Sequence, residues 1–312
     1  MFFPVDRTSN LCRSTMPNSC CHTSCALFNV LSVIATRLKP LLNVIIVTEQ
    51  TGGTQDRDVA DNLSHFKNVI GYHATATGKR KSKGKGKAAI VSLDFEKAFD
   101  RLDRTFLYEL MMKLGFSKTF LDMIRTLYEG NISKVVTNGK ATADVQLGRG
   151  VRQGCPLAMY LYIIFINPLL ERLKSCMVGT EVSGKTIKLA AYVDDIAIMT
   201  GEELDLEQVE SRLDEFMGAT NSIFNKEKTN TLAIGSCTEK RNWPVNWLGL
   251  TNKVKLLGIT WFSTIKKTIT ENYTELKKFS VGLMAMSSNK KLEHSPKSNA
   301  LQFVCGSEIQ LH

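Results

Sequence analysis

The sequence predicts an α+β fold, and three observations carry that prediction. Short apolar runs bounded by turn residues recur at 88–95, 187–193 and 196–199, as buried strands do. Stripes at helical spacing lie between them, such as Phe106, Leu110 and Leu114. From residue 88 the order is strand, helices, a buried helix, a hairpin, a helix and a strand. That order calls for an antiparallel sheet with helices packed on one face.

The elements follow in turn. Residues 1–25 have no period and are rich in Ser, Thr, Asn and Cys, so they read as irregular. Leu27 to Leu42 reads as a helix with Leu27, Val30, Leu31, Ile34 and Leu38 on one face. Residues 50–58, with Gly52 and Gly53, form a loop, and Val59 to Val69 a second helix. Thr75 to Lys87 has the Gly/Lys composition of a linker. Ala88 to Phe95 is a strand. Phe106, Leu110 and Leu114 mark a helix that stops at Gly115. Phe120, Leu121, Ile124, Leu127 and Tyr128 mark another, ending at Gly130. Lys134–Asn138 and Ala143–Leu147 read as strands around an Asn138-Gly139 turn. Pro156 opens a helix that is apolar nearly all round to Leu173, and therefore buried, with a kink near Pro168.

Ile187–Val193 and Ile196–Met199 form a hairpin with Asp194-Asp195 at its tip. Leu204, Val209, Leu213 and Phe216 mark an amphipathic helix. Its other face, with Glu202, Glu203, Asp205, Glu207, Glu210 and Asp214, reads as solvated. Thr231–Ile234 and Lys255–Thr260 are further short strands, and 271–286 is a helix.

Composition narrows the function classes. With 312 residues, 43% hydrophobic and 22% charged, the chain is not mainly disordered, collagen-like or a small disulfide scaffold. The net charge of +10 points to a polyanion as partner. Residues 1–88 hold twelve basic and five acidic residues, whereas residues 89–262 hold twenty-one of each. The excess therefore sits mainly in a run of Lys79, Arg80, Lys81, Lys83, Lys85 and Lys87. Cys12, Cys20, Cys21 and Cys25 crowd around His22 without the paired Cys-x2-Cys spacing of zinc knuckles, so free thiols are favoured over zinc. The start lacks a signal peptide, and the stretch 26–47 is broken by Arg37, Lys39 and Pro40. The chain is expected to be intracellular, neither secreted nor transmembrane.

The chemistry gathers at three places. Asp194-Asp195 sits where two apolar strands turn, and alone it fits a solvated acidic turn equally well. Asp94, at the end of another apolar strand, changes that balance. Carboxylates from two buried strands make a hard, oxygen-rich set suited to Mg²⁺, and three of them repel without cations. Arg149-Gly150-Val151-Arg152-Gln153-Gly154-Cys155-Pro156-Leu157 is a glycine-containing loop before a helix, able to approach a ligand closely or merely to connect elements.

Taken in order, Ser92-Leu93-Asp94-Phe95-Glu96-Lys97-Ala98-Phe99-Asp100, then Arg149 to Leu157, then Tyr192-Val193-Asp194-Asp195 resemble successive motifs of a reverse transcriptase of non-LTR (LINE-type) retrotransposons. Asn225-Lys226-Glu227-Lys228-Thr229 and Val254-Lys255-Leu256-Leu257-Gly258-Ile259 resemble its downstream motifs, the second being the primer grip at Leu257 and Gly258. Thr36 to Leu41 and Thr48 to Gly52 resemble its fingers.

The resemblance implies a right-hand polymerase with a ferredoxin-like palm. It divides the chain into a Cys-rich leader at 1–25 and a fingers part at 26–87 ending in the basic linker 75–87. A palm at 88–262 follows, with an interleaved fingers segment at about 118–148, and then a truncated thumb start and tail at 263–312. It implies RNA-directed DNA synthesis with an RNA template, a DNA primer and dNTP. Asp94, Asp194 and Asp195 would hold two Mg²⁺ ions, with Mn²⁺ as a substitute. Phe99 would exclude the 2′-OH, and Gln153 and Gly154 would line the template and incoming nucleotide. Tyr192 would sit near the primer end, Lys228 would act as general acid, and Arg57 would touch the triphosphate. A catalytically silent remnant that at most binds nucleic acid is the alternative.

The pattern departs from the family in several places: the segment before Ala26 lacks its Arg-Pro-Ile-Ser type motif, and the resemblance is lost after about Met286. Ala158-Met159 stand where a Ser-Pro pair is usual. The fingers loop reads Gly52-Gly53 and Asp56-Arg57 instead of Gly-Phe and Gly-Arg.

Overall fold

The computed structural model describes residues 18–75, 87–130, 143–235 and 249–286, with short strands at 132–133, 136–137 and 140–141. The cysteine-rich start up to residue 17, most of the basic run and the Asn138-Gly139 turn itself lie outside the described residues, as do the side chains of Cys20, Cys21, His22 and Cys25.

Helix α1 spans Asn18–Ile45 and carries Pro40 inside it. It begins well before Leu27, because hydrophobic periodicity cannot reveal helical turns that lack an apolar stripe. Helix α2 spans Val59–Ala74, opened by a capping box on Asp58 and Asp61. Strand β1 is Lys87–Leu93. A short helix α3, Ala98–Arg101, precedes α4, Arg104–Lys113, and α5, Lys118–Tyr128. Asp103 and Ser117 cap the last two with side-chain oxygens.

Four two-residue strands follow: β2 (Ile132–Ser133), β3 (Val136–Thr137), β4 (Lys140–Ala141) and β5 (Val145–Gln146). They nest as a hairpin, with β2 on β5 and β3 on β4, and Thr137 opposite Lys140 brackets residues 138–139. The buried helix α6 is Ala158–Cys176 and contains Pro168. It starts two residues after Pro156, which belongs to the preceding turn.

Strands β6 (Thr180–Val182) and β7 (Lys185–Ile187) form a hairpin turning on Ser183 and Gly184, both at positive φ. Strands β8 (Leu189–Tyr192) and β9 (Asp195–Thr200) form the next hairpin. Helix α7 is Glu203–Thr220. Strands β10 (Asn230–Gly235), β11 (Gly249–Thr251), β12 (Lys253–Leu256) and β13 (Ile259–Phe262) lead to α8, Ile265–Met286.

The main sheet has the order β11-β10-β1-β9-β8. Its pairs are antiparallel except β10–β11, which is parallel. The strands read as continuous apolar runs because both faces are covered. Val91, Leu93, Ala191, Ile196 and Ile198 point into one core with α1, α6 and α7. Ile90, Ala190, Ala197 and Met199 point into the other, filled by α2 and the β12–β13 hairpin around Phe66 and Trp261.

Phe28–Ile45 is, by length and composition alone, apolar enough to cross a membrane. Leu31, Ile34, Leu38, Leu42 and Ile46 nevertheless bury in the first core. Asn167 of α6 ties down the end of α1, accepting from Val47 N at 2.9 Å and donating to Ile45 O at 3.1 Å. Asp205 corrects the reading of a solvated acidic face. It is 1% exposed and accepts from Val178 N at 2.7 Å, Gly179 N at 2.8 Å and Thr200 Oγ1 at 2.6 Å.

Aromatic rings of α4, α6 and α7 interlock in the first core. Phe165 meets Phe106 and Phe216 edge-on, each at 5.5 Å between ring centroids. Phe165→Ala is expected to cost about 3–5 kcal/mol of stability, as large-to-small core changes do. Urea unfolding that detects no loss would contradict this packing.

Candidate active site

Strand pairing brings the acids together. Leu93 and Ile196 are the last partners of the β1–β9 ladder, so Asp94 and Asp195 stand one residue beyond it, on adjacent strands. Asp194 occupies the two-residue turn between Tyr192 and Asp195, which face each other across the β8–β9 hairpin. The other turn residue, Val193, has φ 57°, a conformation that a β-branched side chain rarely adopts. Such strain costs on the order of 1–3 kcal/mol and needs holding by the surroundings.

The acids feel one another. Desolvation raises Asp194 above the ordinary carboxylate range, and Asp94 adds to the rise. Desolvation also raises Asp195, followed by the charges of Asp194 and Asp94, while Lys255 counters them. Tyr162 of α6 is fully buried near these carboxylates, and its phenol is pushed far up by burial first, then by Asp194 and Asp94. Among the described residues no three His, Cys, Asp or Glu side chains close into a metal cage. The three aspartates nonetheless fit hard divalent cations in donor type, and their mutual repulsion is what such cations relieve.

The loop at 147–154 is fixed from behind. Arg104 donates to the carbonyls of Gly150 (2.8 Å), Tyr128 (2.7 Å), Leu147 (2.9 Å) and Arg149 (2.8 Å). Gly150 N bonds Leu102 O and Val151 N bonds Phe99 O, both at 2.9 Å. Gly150 has φ 79°, and a Cβ there would lie 2.6 Å from Asp100 O, so only glycine fits. Exposed Gln153 donates to Asp100 Oδ1 at 3.3 Å, with Gly154 beside it. Half-buried Phe99 stacks on Tyr162 at 4.9 Å.

Lys228 is exposed in a turn anchored to the acids by Asn225. Asn225 N bonds Asp94 O at 2.8 Å, and Asn225 Oδ1 accepts Lys228 N at 3.1 Å. Tyr192 is 38% exposed at the hairpin tip. Leu257 and Gly258 form the β12–β13 turn, both at positive φ as a type I′ turn requires. Arg57, expected at the triphosphate, has four backbone partners in this structure. Its guanidinium donates to the carbonyls of Val47, Gln50, Asn43 and Ile46, so it caps the end of α1.

The sequence profile of the family described as reverse transcriptase (RNA-dependent DNA polymerase) matches residues 16–260. The chain belongs to the reverse transcriptase family. It is 29% identical over 253 residues to the transposon TX1 uncharacterized 149 kDa protein of Xenopus laevis, covering 79% of this chain and 18% of that protein. It is 28% identical over 145 residues to the Pol polyprotein from the type-2 retrotransposable element R2DM of Drosophila melanogaster, covering 46% of this chain and 14% of that one. The chain thus spans less than a fifth of either relative. Telomerase from Candida albicans, solved with a TWJ fragment of telomeric RNA, superposes with TM-score 0.49 at 14% identity over 77% of this chain and 36% of that one.

In this reverse transcriptase chain, Gln50, Arg104 and Asn225 support the site without having been predicted to. Each acts through backbone atoms that are distant in sequence, which motif spacing does not reveal. Only Asn225 had a signal, standing three residues before Lys228 where an Asx turn forms.

The raised Asp195 gives a pH prediction. A carboxyl raised in the folded state opposes folding above its unfolded pKa, and the penalty fades as pH falls through the folded value. Asp195→Asn should therefore raise Tm at pH 7 in metal-free buffer, with the gain vanishing in acid. A lower Tm at pH 7 would show that the carboxylate is stabilised, contrary to this geometry.

Proposed function

We propose that the chain is the polymerase core of a retrotransposon reverse transcriptase, adding dNTP to a primer 3′-OH on an RNA template. The observation that carries the reading is the placement of Asp94 beside Asp195 at the ends of β1 and β9, with Asp194 in the adjoining turn. The β11-β10-β1-β9-β8 sheet would serve as palm, and α1 and α2 as part of the fingers. Retrotransposon relatives support an intracellular site of action, nuclear or cytoplasmic.

Reverse transcriptases as a family use divalent metal ions. Asp94, Asp194 and Asp195 would hold two of them, Mg²⁺ or Mn²⁺, which when bound lower the pKa of a hydroxyl and offset phosphate charge. The protein's own share is positioning and electrostatics. The loop fixed by Arg104 presents Gln153 and Gly154 to the template and incoming nucleotide. Phe99, backed by Tyr162, fills the space that a 2′-OH would need. Tyr192 and the Leu257-Gly258 turn flank the primer end. Lys228, held to the backbone of Asp94 through Asn225, supplies a proton or positive charge to the departing pyrophosphate.

A catalytically silent remnant is the second reading, favoured by the changed residues at Gly53, Asp56, Ala158 and Met159. Primer extension separates the two. The wild-type chain should incorporate dNTP on an RNA template with an annealed DNA primer, and Asp194→Asn should abolish it. If both bind primer–template and neither extends, the remnant stands. In the same assay Phe99→Ala should raise rNTP use relative to dNTP by about tenfold or more, the scale of losing 1.4 kcal/mol of discrimination. An unchanged ratio would leave Phe99 as core packing only.

A further inference from the structure

We infer that Gln50 is a positioning residue that holds the aspartate hairpin in register, an inference resting on the polymerase reading of Asp194 and Asp195. Gln50 is fully buried, at 0% exposure, and its carboxamide faces the strained turn. Its Oε1 accepts Val193 N at 2.8 Å, and its Nε2 donates to Val193 O at 3.1 Å. A side-chain amide thus supplies the partners that a neighbouring strand would give. It serves the one hairpin residue whose φ of 57° disfavours its own side chain.

Glutamine suits this position by chemistry and length. A glutamate lacks the donor for Val193 O and would bring a fourth carboxylate toward three that already repel. An asparagine is one methylene short.

The clamp rests on an isolated parallel bridge between Gln50 and Ala191. Thr51 N bonds Ala191 O at 2.9 Å and Ala191 N bonds Glu49 O at 3.0 Å, so residues 49–51 pair with β8. Asn62 Nδ2 of α2 donates to the same Ala191 O at 2.9 Å. Gly52 N also bonds Gln50 Oε1, at 2.9 Å. A Cβ at Gly52 would lie 2.7 Å from both Val193 N and Val193 Cγ2, so glycine lets the clamp close. Residues 49–52 thus hold the hairpin twice, by backbone pairing at Ala191 and by the Gln50 carboxamide at Val193, beside the two aspartates.

The test uses the full chain with Gln50→Met, which keeps bulk and removes the hydrogen bonds. Three quantities are read: Mn²⁺ affinity by electron paramagnetic resonance, amide exchange across the β8–β9 turn, and dNTP incorporation. Mn²⁺ affinity should fall about tenfold, as when support behind a metal ligand is lost. The kcat should fall about 10- to 100-fold with KM for dNTP near wild type, as for a misplaced reacting group. Exchange should quicken at residues 193–195 and stay unchanged in β10 and α6. Adding Val193→Gly should recover most of the loss, because glycine takes the turn without strain.

Wild-type Mn²⁺ affinity and exchange in Gln50→Met would overturn the inference. So would a loss of protection spread through the whole sheet that Val193→Gly does not restore. Gln50→Asn serves if the methionine variant does not fold. A wild-type chain that never incorporates dNTP sinks the polymerase reading, whereas the exchange arm still decides the role of Gln50.

Discussion

Strand β1 pairs on both sides at once, with β9 and with β10, and the rest of the structure depends on that double pairing. Ala88 to Val91 are each 0% exposed, so the strand cannot slip by one residue without exchanging the contents of two cores. Register along β1 is therefore strongly specified. It ends at Leu93 opposite Ile196, which leaves Asp94 and Asp195 side by side past the last buried pair. The acids owe their meeting to apolar residues that take no part in chemistry. Hydrophobic burial, at roughly 25 cal/mol per Å², is what works against their mutual repulsion.

Of the described non-glycine residues at positive φ, Asp56, Ser183 and Asn221 lie elsewhere, but two adjoin the acids. Val193 and Lys97 have positive φ without being glycine, and they stand just before Asp194 and three residues after Asp94. Leu257, in the β12–β13 turn, is another. Strained non-glycine backbone persists only where its neighbours over-determine it, and each of these has its restraint. Val193 has the carboxamide of Gln50. The carbonyl of Lys97 accepts from Asp100 N and Arg101 N, both at 2.9 Å. Leu257 sits between the four-residue ladders of β12 and β13.

Continuous apolar runs made the sheet legible and helical stripes most of the helices, because burial of both faces of a strand or one face of a helix is written into residue order. The three aspartates were legible for a related reason, as charged residues at the ends of apolar runs stand out. What stayed hidden depended on tertiary partners. Asp205 lies among acids on a helix, and nothing in the sequence says that two backbone N–H groups and the Thr200 hydroxyl await it. Arg57 and Arg104 each spend the guanidinium on four backbone carbonyls, partners that no residue pattern announces. Parallel pairing of β11 with β10 escaped as well, since a three-residue strand has too short a pattern to register. The β6–β7 hairpin did leave a trace in Ser183-Gly184, a dipeptide that favours such turns.

The departures from the family pattern bear on whether the site is coherent. Gly53 and Met159 are far apart in sequence, but a Cβ at position 53 would lie 2.9 Å from Met159 Cε and 2.9 Å from Ile163 Cδ1. Where the family usually has Phe and Pro, this chain has a glycine that makes room and a methionine that fills it, the adaptable side chain suited to such a gap. Two changes that complement each other in volume keep the start of α6 packed against the loop at Gly53. Asp56 is the contrary case. It holds φ 60° where the family usually has glycine, and Asp tolerates that conformation better than most residues without being free of strain. Its neighbour Arg57 holds the end of α1 through the loop's own carbonyls, which keeps the strained residue next to a fixed point. The changed loop therefore still delivers Gln50 to Val193, next to Asp194. The Gln50–Val193 contact is thus present alongside the substitutions that set this chain apart.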